Sequence, residues 1–385
     1  MSDKVRILQI LGGGSSLGGV ERMLLNYYKY IDRSQYLFDF CFIRENTFPL
    51  IQDQYGDILE DSNIYELSVF SGKSTLNGYC KGISKIKNII RIGNYDVVHI
   101  NAGRPALLIV GLIAAKQAHA KSIILHSHST NPGLNNLTIR KSMMRIIQNV
   151  FTHYGDWFFA CSIDTGKYMF GNNIQDNPRF ELIRNAIDPT KYYYNESKRK
   201  EIRENNSIDD NTILFGHVGR LSEEKNHLFL IKVFKFITEK APNSKLWIIG
   251  DGDQRSAVEE TIEELGITEK ALLMGSRSDV PDLLQAIDVM VFPSLYEGLS
   301  VTLVEAQAAS VEVFASDTIS QEHTVTNLIK YIPLSDGEQK WADYIMNHIS
   351  IPFKKGDTSE EICNSGYCVK DVAKKMENIY REAVK

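Results

Sequence analysis

The sequence predicts an α/β protein of two doubly wound, Rossmann-like parallel-sheet domains in tandem. Three observations carry that expectation. Short β-rich runs alternate with amphipathic stretches along nearly all 385 residues. Several runs are apolar at every position, as in parallel strands covered by helices on both faces. The alternation breaks once, over the polar residues 188–211, and then restarts. A chain of this length also exceeds one compact core at roughly 100–200 residues per domain.

Taken in order, Val5–Leu11 is a strand that ends in glycines, and residues 19–31 carry apolar groups at helical spacing through Val20, Met23, Leu24, Tyr27, Tyr28 and Ile31. Further strands are expected at 38–43, 64–69, 96–100, 122–125, 157–161 and 180–183, with helices at 76–92, 105–118 and 137–150. Residues 188–211 read as a linker with one short helix, because the run Lys198-Arg-Lys-Glu-Ile-Arg203 is so charged. Strands resume at 213–218, 246–249, 271–274, 289–292, 311–315 and 331–334. The domains expected are therefore 1–187 and 188–369, with a last helix in 370–385 free to pack back on the first. Two such domains facing each other would leave a central cleft. In open parallel sheets ligands sit beyond the carboxyl ends of the strands, so chemistry is sought there.

Composition excludes several classes. With 43% hydrophobic residues, 26 Gly and 10 Pro the chain is neither disordered nor collagen-like. The longest apolar run, residues 105–115, is well short of the ~20 residues that span a bilayer. Met1-Ser-Asp-Lys-Val-Arg6 opens directly into a strand-like run without a signal segment, so a soluble cytoplasmic protein is expected. Five cysteines in no Cys-x-x-Cys pair read as reduced thiols, with neither a disulfide framework nor a zinc site. Net charge is −5, unevenly spread: residues 1–186 hold 20 bases against 15 acids, and the rest 23 against 33. Residues 73–145 hold eleven bases and one acid, Asp96. Such a split suits an anionic partner, nucleic acid or an acidic membrane surface, unless the face is merely solvated.

Four strand-end segments carry candidate chemistry. Gly12-Gly-Gly-Ser-Ser-Leu-Gly-Gly-Val-Glu21 would let backbone approach phosphate at a helix start, or simply turn; it is one residue too long for a dinucleotide fingerprint and is not a Walker loop. Leu125-His-Ser-His-Ser129 offers His126 and His128 to a ligand, to half a metal site, or to the core. Gly219-Arg-Leu-Ser-Glu-Glu-Lys225 ends a strand with Arg220 and Lys225 spaced to clamp one diphosphate. Pro293-Ser-Leu-Tyr-Glu-Gly-Leu-Ser-Val-Thr-Leu-Val-Glu-Ala306 sets Glu297 before a helix and Glu305 eight residues on. If that span is helical the two are about 12 Å apart along the axis, too far to share one bond as glycosidase carboxylates do. They suit opposite ends of a long polar ligand whose anionic middle meets the helix N-terminus. Gly250-Asp-Gly-Asp253 reads as a turn with a side-chain N-cap rather than a cation site.

In this order the motifs resemble retaining GT-B glycosyltransferases, those of glycosyltransferase family 4 and the "glycosyl transferases group 1" type that build bacterial exopolysaccharide and capsule. The resemblance runs through Gly18-Gly-Val-Glu21, Asp96-Val-Val-His-Ile-Asn101, His126-Ser-His128, Ile183-Arg-Asn-Ala-Ile-Asp188, Gly219-Arg-Leu-x-x-x-Lys225, Gly250-Asp-Gly and the Glu297/Glu305 pair. It implies a nucleotide-sugar donor, most often UDP-linked, with no metal or other cofactor. Arg220 and Lys225 would hold the diphosphate. Glu297 and the backbone of Gly298, Leu299, Ser300, Val301 and Thr302 would meet sugar and phosphate. Glu305 would bind ribose, with Ser276 and Arg277 edging the base. Gly18 and Gly19 would approach the distal phosphate, and His128, with His126 beside it, the reacting sugar. The resemblance further implies a glycan or lipid-diphosphate acceptor on the first domain and donor binding on the second. The basic stretch 73–145 would then face anionic lipid at the inner membrane surface, with no nucleic acid partner. Where the family often has Gly and Pro, this chain has Ser310 and Glu312. Rival readings are a nucleotide-sugar epimerase of the same architecture, a non-catalytic sugar-nucleotide binder, and a nicotinamide oxidoreductase, which the misfit first loop disfavours.

Overall fold

A computed structural model describes residues 4–12, 19–43, 51–52, 55–67, 76–128, 138–297, 299–353 and 355–385. The chain divides into two compact units. Unit 1 is Met1–Ala186 together with Val369–Lys385, and unit 2 is Ile187–Cys368.

Unit 1 contains strands β1 (Val5–Leu11), β2 (Tyr36–Phe42), β3 (Ile64–Glu66), β4 (Val97–Ala102), β5 (Ser122–Ser127), β6 (Trp157–Ala160) and β7 (Phe180–Leu182). They form one sheet in the order β3-β2-β1-β4-β5-β6-β7, with every pairing parallel. The described helices are α1 (Gly19–Tyr30), α2 (Leu76–Gly93), α3 (Pro105–Ala118), α4 (Thr138–Tyr154) and α5 (Ile163–Phe170), joined by the last helix of the chain, α13 (Val369–Ala383). Strand alternation supplies two cores. Ile7, Phe38, Phe40, Phe42, Val97 and Phe159 pack on one face with α1 and α13, whereas Leu8, Ile10, Val98, Ile100 and Leu125 pack on the other with α2 and α3. Local chemistry sets the helix starts: Pro105 sits at the first turn of α3, and Ser162 caps α5 in a reciprocal capping box with Thr165.

Unit 2 contains α6 (Glu196–Asn205), β8 (Ile213–Val218), α7 (His227–Lys240), β9 (Ser244–Ile249), α8 (Arg255–Glu264), β10 (Ala271–Gly275), α9 (Val280–Ala286), β11 (Val289–Phe292), α10 (Val301–Ala308), β12 (Glu312–Ser316), β13 (Ile329–Ile332), α11 (Gly337–His348) and α12 (Ser359–Asn364). Its parallel sheet runs β10-β9-β8-β11-β12-β13, the doubly wound order with its switch point between β8 and β11. In unit 1 the corresponding point lies between β1 and β4.

Residues 188–211 hold one short helix, as expected, but its bases are anchored rather than solvated. They carry α6, whose Arg199 and Arg203 bracket the buried Asp288 at 2.6 and 3.1 Å, while Asp288 also accepts from Leu214 N–H. Bases that look solvated in the sequence are thus anchored to a buried acid. Among the described residues no helix is long and apolar enough to cross a membrane.

Candidate functional site

In unit 2 the loops after β8 and β11 converge at the switch point. Glycines make the β8 loop possible: Gly250 has φ of 144°, and a Cβ there would lie 1.9 Å from Gly219 O. Leu221 N–H then donates to Asp251 O, tying the β8 and β9 loops together. A short helical turn, Glu223–Lys225, follows and ends at Asn226, whose left-handed backbone (φ 56°) opens α7. Asn226 Nδ2 donates to Pro293 O and Leu295 N–H to Glu224 O, so the β8 loop is pinned to the β11 loop.

That pinning brings together two residues the sequence gave separate tasks. Lys225 Nζ lies 2.5 Å from Glu297 Oε1, and the side chains are only 14% and 10% exposed. The ammonium also lies 4.9 Å from the Phe292 ring. Arg220 pairs with Asp253 at 3.1 Å, but both are largely exposed (65% and 83%), so the pair is weak. The N-cap expected at the Gly250–Asp253 turn is not formed by a side chain; α8 starts after Gln254 with no side-chain cap. Arg277 pairs with its neighbour Asp279 at 2.6 Å beyond β10, and Ser276 beside it is exposed.

The second carboxylate is placed differently from the helical estimate. α10 begins only at Val301, four residues after Glu297. Glu305 Oε1 accepts from the Tyr192 hydroxyl at 2.6 Å, and burial together with the Glu305 charge pushes the Tyr192 phenol up. Leu299 and Ser300 are buried at the head of α10, while Val301 and Thr302 are half-buried in its first turn. Gly298 and Gly18 lie outside the described residues. Gly19 opens α1, and a Cβ there would meet nothing within 4 Å.

Two further histidines of unit 2 carry roles that sequence reasoning missed. Ser300 N–H donates to His323 Nε2 at 2.7 Å, which leaves His323 Nδ1–H to donate to Ser320 O. The His323 carbonyl is in turn held by Gln307 Nε2 from within α10, and Gln307 Oε1 accepts from Val325 and Thr326 N–H. Burial keeps His323 below the ordinary histidine range, so it stays the neutral acceptor this bond requires. His217 donates through Nδ1 to Val291 O and presents a buried Nε2 without a partner among the described residues. A histidine inside the glycine-flanked strand end Gly216-His-Val-Gly219 was a legible signal for it; nothing local marked His323.

In unit 1 the strand-end histidines are buried in a polar cluster. His128 bonds Asn101 Oδ1 at 3.2 Å, His126 Nδ1 lies 3.2 Å from His99 Nε2, and the His126 and His128 rings are 3.8 Å apart. Burial pushes the His128 imidazole down to about 3 and holds His126 well below its ordinary value, so both are neutral at pH 7.

Residues 17–191 match the family model described as Glycosyltransferase Family 4, and residues 198–356 match Glycosyl transferases group 1. The chain belongs to this glycosyltransferase family. Of its curated relatives, the "Putative glycosyltransferase EpsF" of Bacillus subtilis (strain 168) is 27% identical over 98% of this chain and 97% of its own. The UDP-Gal:alpha-D-GlcNAc-diphosphoundecaprenol alpha-1,3-galactosyltransferase of Escherichia coli is 26% identical over 81% and 79%. Among solved structures, HepE of Anabaena in complex with UDP and glucose superposes with a TM-score of 0.74 at 19% identity, covering 98% of this chain and 100% of that one. A glycosyltransferase from Rickettsia africae gives 0.77 at 19% identity, over 100% and 99%. The fold is thus GT-B, two Rossmann-like domains.

Proposed function

We propose that this glycosyltransferase moves a hexosyl group, with retention of configuration, from a UDP-sugar to a hydroxyl of a glycan or lipid-diphosphate acceptor in cell-surface polysaccharide synthesis. The observation that carries the reading is the Lys225–Glu297 pair at the head of α10, in the switch-point loops of unit 2. A diphosphate there would meet the Lys225 ammonium, the Arg220 guanidinium and the helix N-terminus, while Glu297 accepts from sugar hydroxyls and Glu305 from ribose. A relative whose name specifies a UDP-sugar donor and a diphospho-lipid acceptor supports the same substrate classes.

In this mechanism the bond between C1 and the β-phosphate oxygen breaks, and its electron pair stays on the diphosphate. Lys225, Arg220 and the α10 amides stabilise that charge as it develops. The acceptor oxygen attacks C1 from the same face, and its proton passes to the leaving phosphate oxygen. Cationic side chains supply the neutralisation, so turnover is expected without a divalent ion.

Removing either cation should lower turnover on the order of 10²–10³-fold. Purified protein assayed with UDP-hexoses tests this; Lys225→Ala and Arg220→Ala variants at wild-type rates would refute the assignment. An inverted product anomer by NMR would refute retention, and loss of activity in EDTA that magnesium restores would refute metal independence.

Membrane attachment is the second part of the proposal. Along α4, Met143, Ile146, Val150 and Tyr154 are exposed at spacings of three and four, beside the exposed Arg145. With the exposed Lys81, Lys85 and Arg91 of α2 they suit an anionic bilayer, each base contributing about 1 kcal/mol near the surface. Flotation with phosphatidylglycerol vesicles but not with neutral ones is expected, and Ile146→Asp should weaken it. Equal recovery with both vesicle types at low salt would count against the idea.

A further inference from the structure

The polar cluster of unit 1 has one proton arrangement that satisfies its hydrogen bonds, and that arrangement has a direction. Asn101 Nδ2 donates to Gln9 Oε1 at 2.9 Å, and Gln9 Nε2 donates to the Tyr380 hydroxyl at 3.0 Å. Asn101 Nδ2 also faces the Ile10 and His99 carbonyls, which fixes the orientation of that amide. Tyr380, having accepted from Gln9, donates its own proton to His99 Nδ1 at 2.8 Å. His99 must then carry its proton on Nε2 and donate to His126 Nδ1. At the other end, Asn101 Oδ1 can only accept, so His128 donates to it from Nε2.

Two atoms are left over. His126 Nε2 is a donor and His128 Nδ1 is a lone pair, and both are buried without a partner among the described residues. The two rings lie against each other at the carboxyl end of β5. A buried N–H and a buried lone pair side by side are costly unless a ligand satisfies them.

We propose that Tyr380, on the last helix of the chain, is a positioning residue that fixes this arrangement, so that His126 offers a donor and His128 an acceptor to a neutral sugar hydroxyl. The inference rests on the glycosyltransferase reading above. A hydroxyl both accepts and donates, which matches the pair. A carboxylate or phosphate only accepts, and it would face the His128 lone pair. The site therefore selects hexoses over uronic acids at this position. Burial keeps Tyr380 protonated and the three histidines neutral, as the chain of bonds requires.

Selective ¹⁵N-histidine labelling reads the proton positions directly. In the wild type, His99, His126 and His128 should all be neutral at pH 7 with the proton on Nε2; a proton on Nδ1 of His126 or His128 overturns the proposal. Tyr380→Phe keeps the ring and removes the donor to His99. It should give His126 as a mixture of tautomers and lower kcat/KM for a UDP-hexose about tenfold, the worth of one neutral hydrogen bond. The preference for UDP-hexose over UDP-uronate should shrink, with UDP affinity unchanged. Unaltered tautomers and unaltered preference in a folded Tyr380→Phe protein would overturn it. If that variant fails to fold, the wild-type spectrum alone decides. The expected spectrum without transfer from any nucleotide-sugar would sink the functional reading and leave the proton arrangement standing.

Discussion

Ser310 holds a left-handed backbone (φ 56°) just after α10, and its Oγ accepts from Gly356 N–H at 3.0 Å. That backbone costs a side chain about 1–2 kcal/mol, roughly offset by one hydrogen bond and by the greater unfolded freedom of glycine. Ser310→Gly should therefore melt within about 1 kcal/mol of wild type in urea, whereas Ser310→Val, which loses the bond and keeps the strain, should lose about 2 kcal/mol or more. A large gain from glycine would show that the hydroxyl contributes nothing. His323 behaves differently, because its imidazole is the sole described acceptor for Ser300 N–H. His323→Ala should cost about 1–3 kcal/mol and weaken donor binding by loosening the head of α10. Unchanged stability and unchanged UDP affinity would remove it from the site. The two residues also differ in legibility. Ser310 stood out in sequence as a departure from the resembled pattern, whereas His323 depends on a loop returning from β12 to α10, which no spacing encodes.

At the scale of elements, α10 was legible as a helix but its start was not. Apolar spacing through Val301, Val304 and Ala308 marked the buried face, yet residues 297–300 carry no breaker beyond one glycine. The contact at its head is tertiary: His323 takes the Ser300 amide. The same limit hid the anchoring of α6, whose bases meet an acid 85 or more residues away. The last helix, α13, contributes Val372, Met376, Ile379 and Tyr380 to the unit 1 core. At about 1.5–3 kcal/mol per large apolar side chain, its burial rivals the ~5–15 kcal/mol stability of a whole domain. A chain ending at Cys368 should therefore lose cooperative unfolding of unit 1 in calorimetry; an unchanged transition would mean that α13 is dispensable.

For the whole molecule, alternation and strand apolarity sufficed to place two parallel sheets, because both faces of each sheet are covered. The charge asymmetry between halves was legible too, but not which bases are engaged: Lys121 is tied to Asp96 at 2.6 Å, while no ion pair is described for Lys81 and Lys85. Six buried histidines set the acid stability. His99, His126 and His217 are held well below 6.5, His323 is lowered, and burial brings His128 to about 3 and His227 to about 4. The unfolded chain takes up these protons as pH falls below 6.5, whereas in the folded chain burial holds all six back, His128 to about 3 and His227 to about 4. Stability is thus full above pH 6.5 and lost progressively below it, by up to about 1.4 kcal/mol per pH unit for each histidine. A melting temperature that stays flat from pH 7.5 to 5 would contradict this.

The return of α13 to unit 1 also sets an order of events during synthesis. Residues 187–368 are contiguous and can collapse as they leave the ribosome, but the unit 1 core stays unfinished until α13 is released. A nascent chain that has released residues 1–368 would thus hold a complete unit 2 and a unit 1 whose core still lacks Val372, Met376, Ile379 and Tyr380.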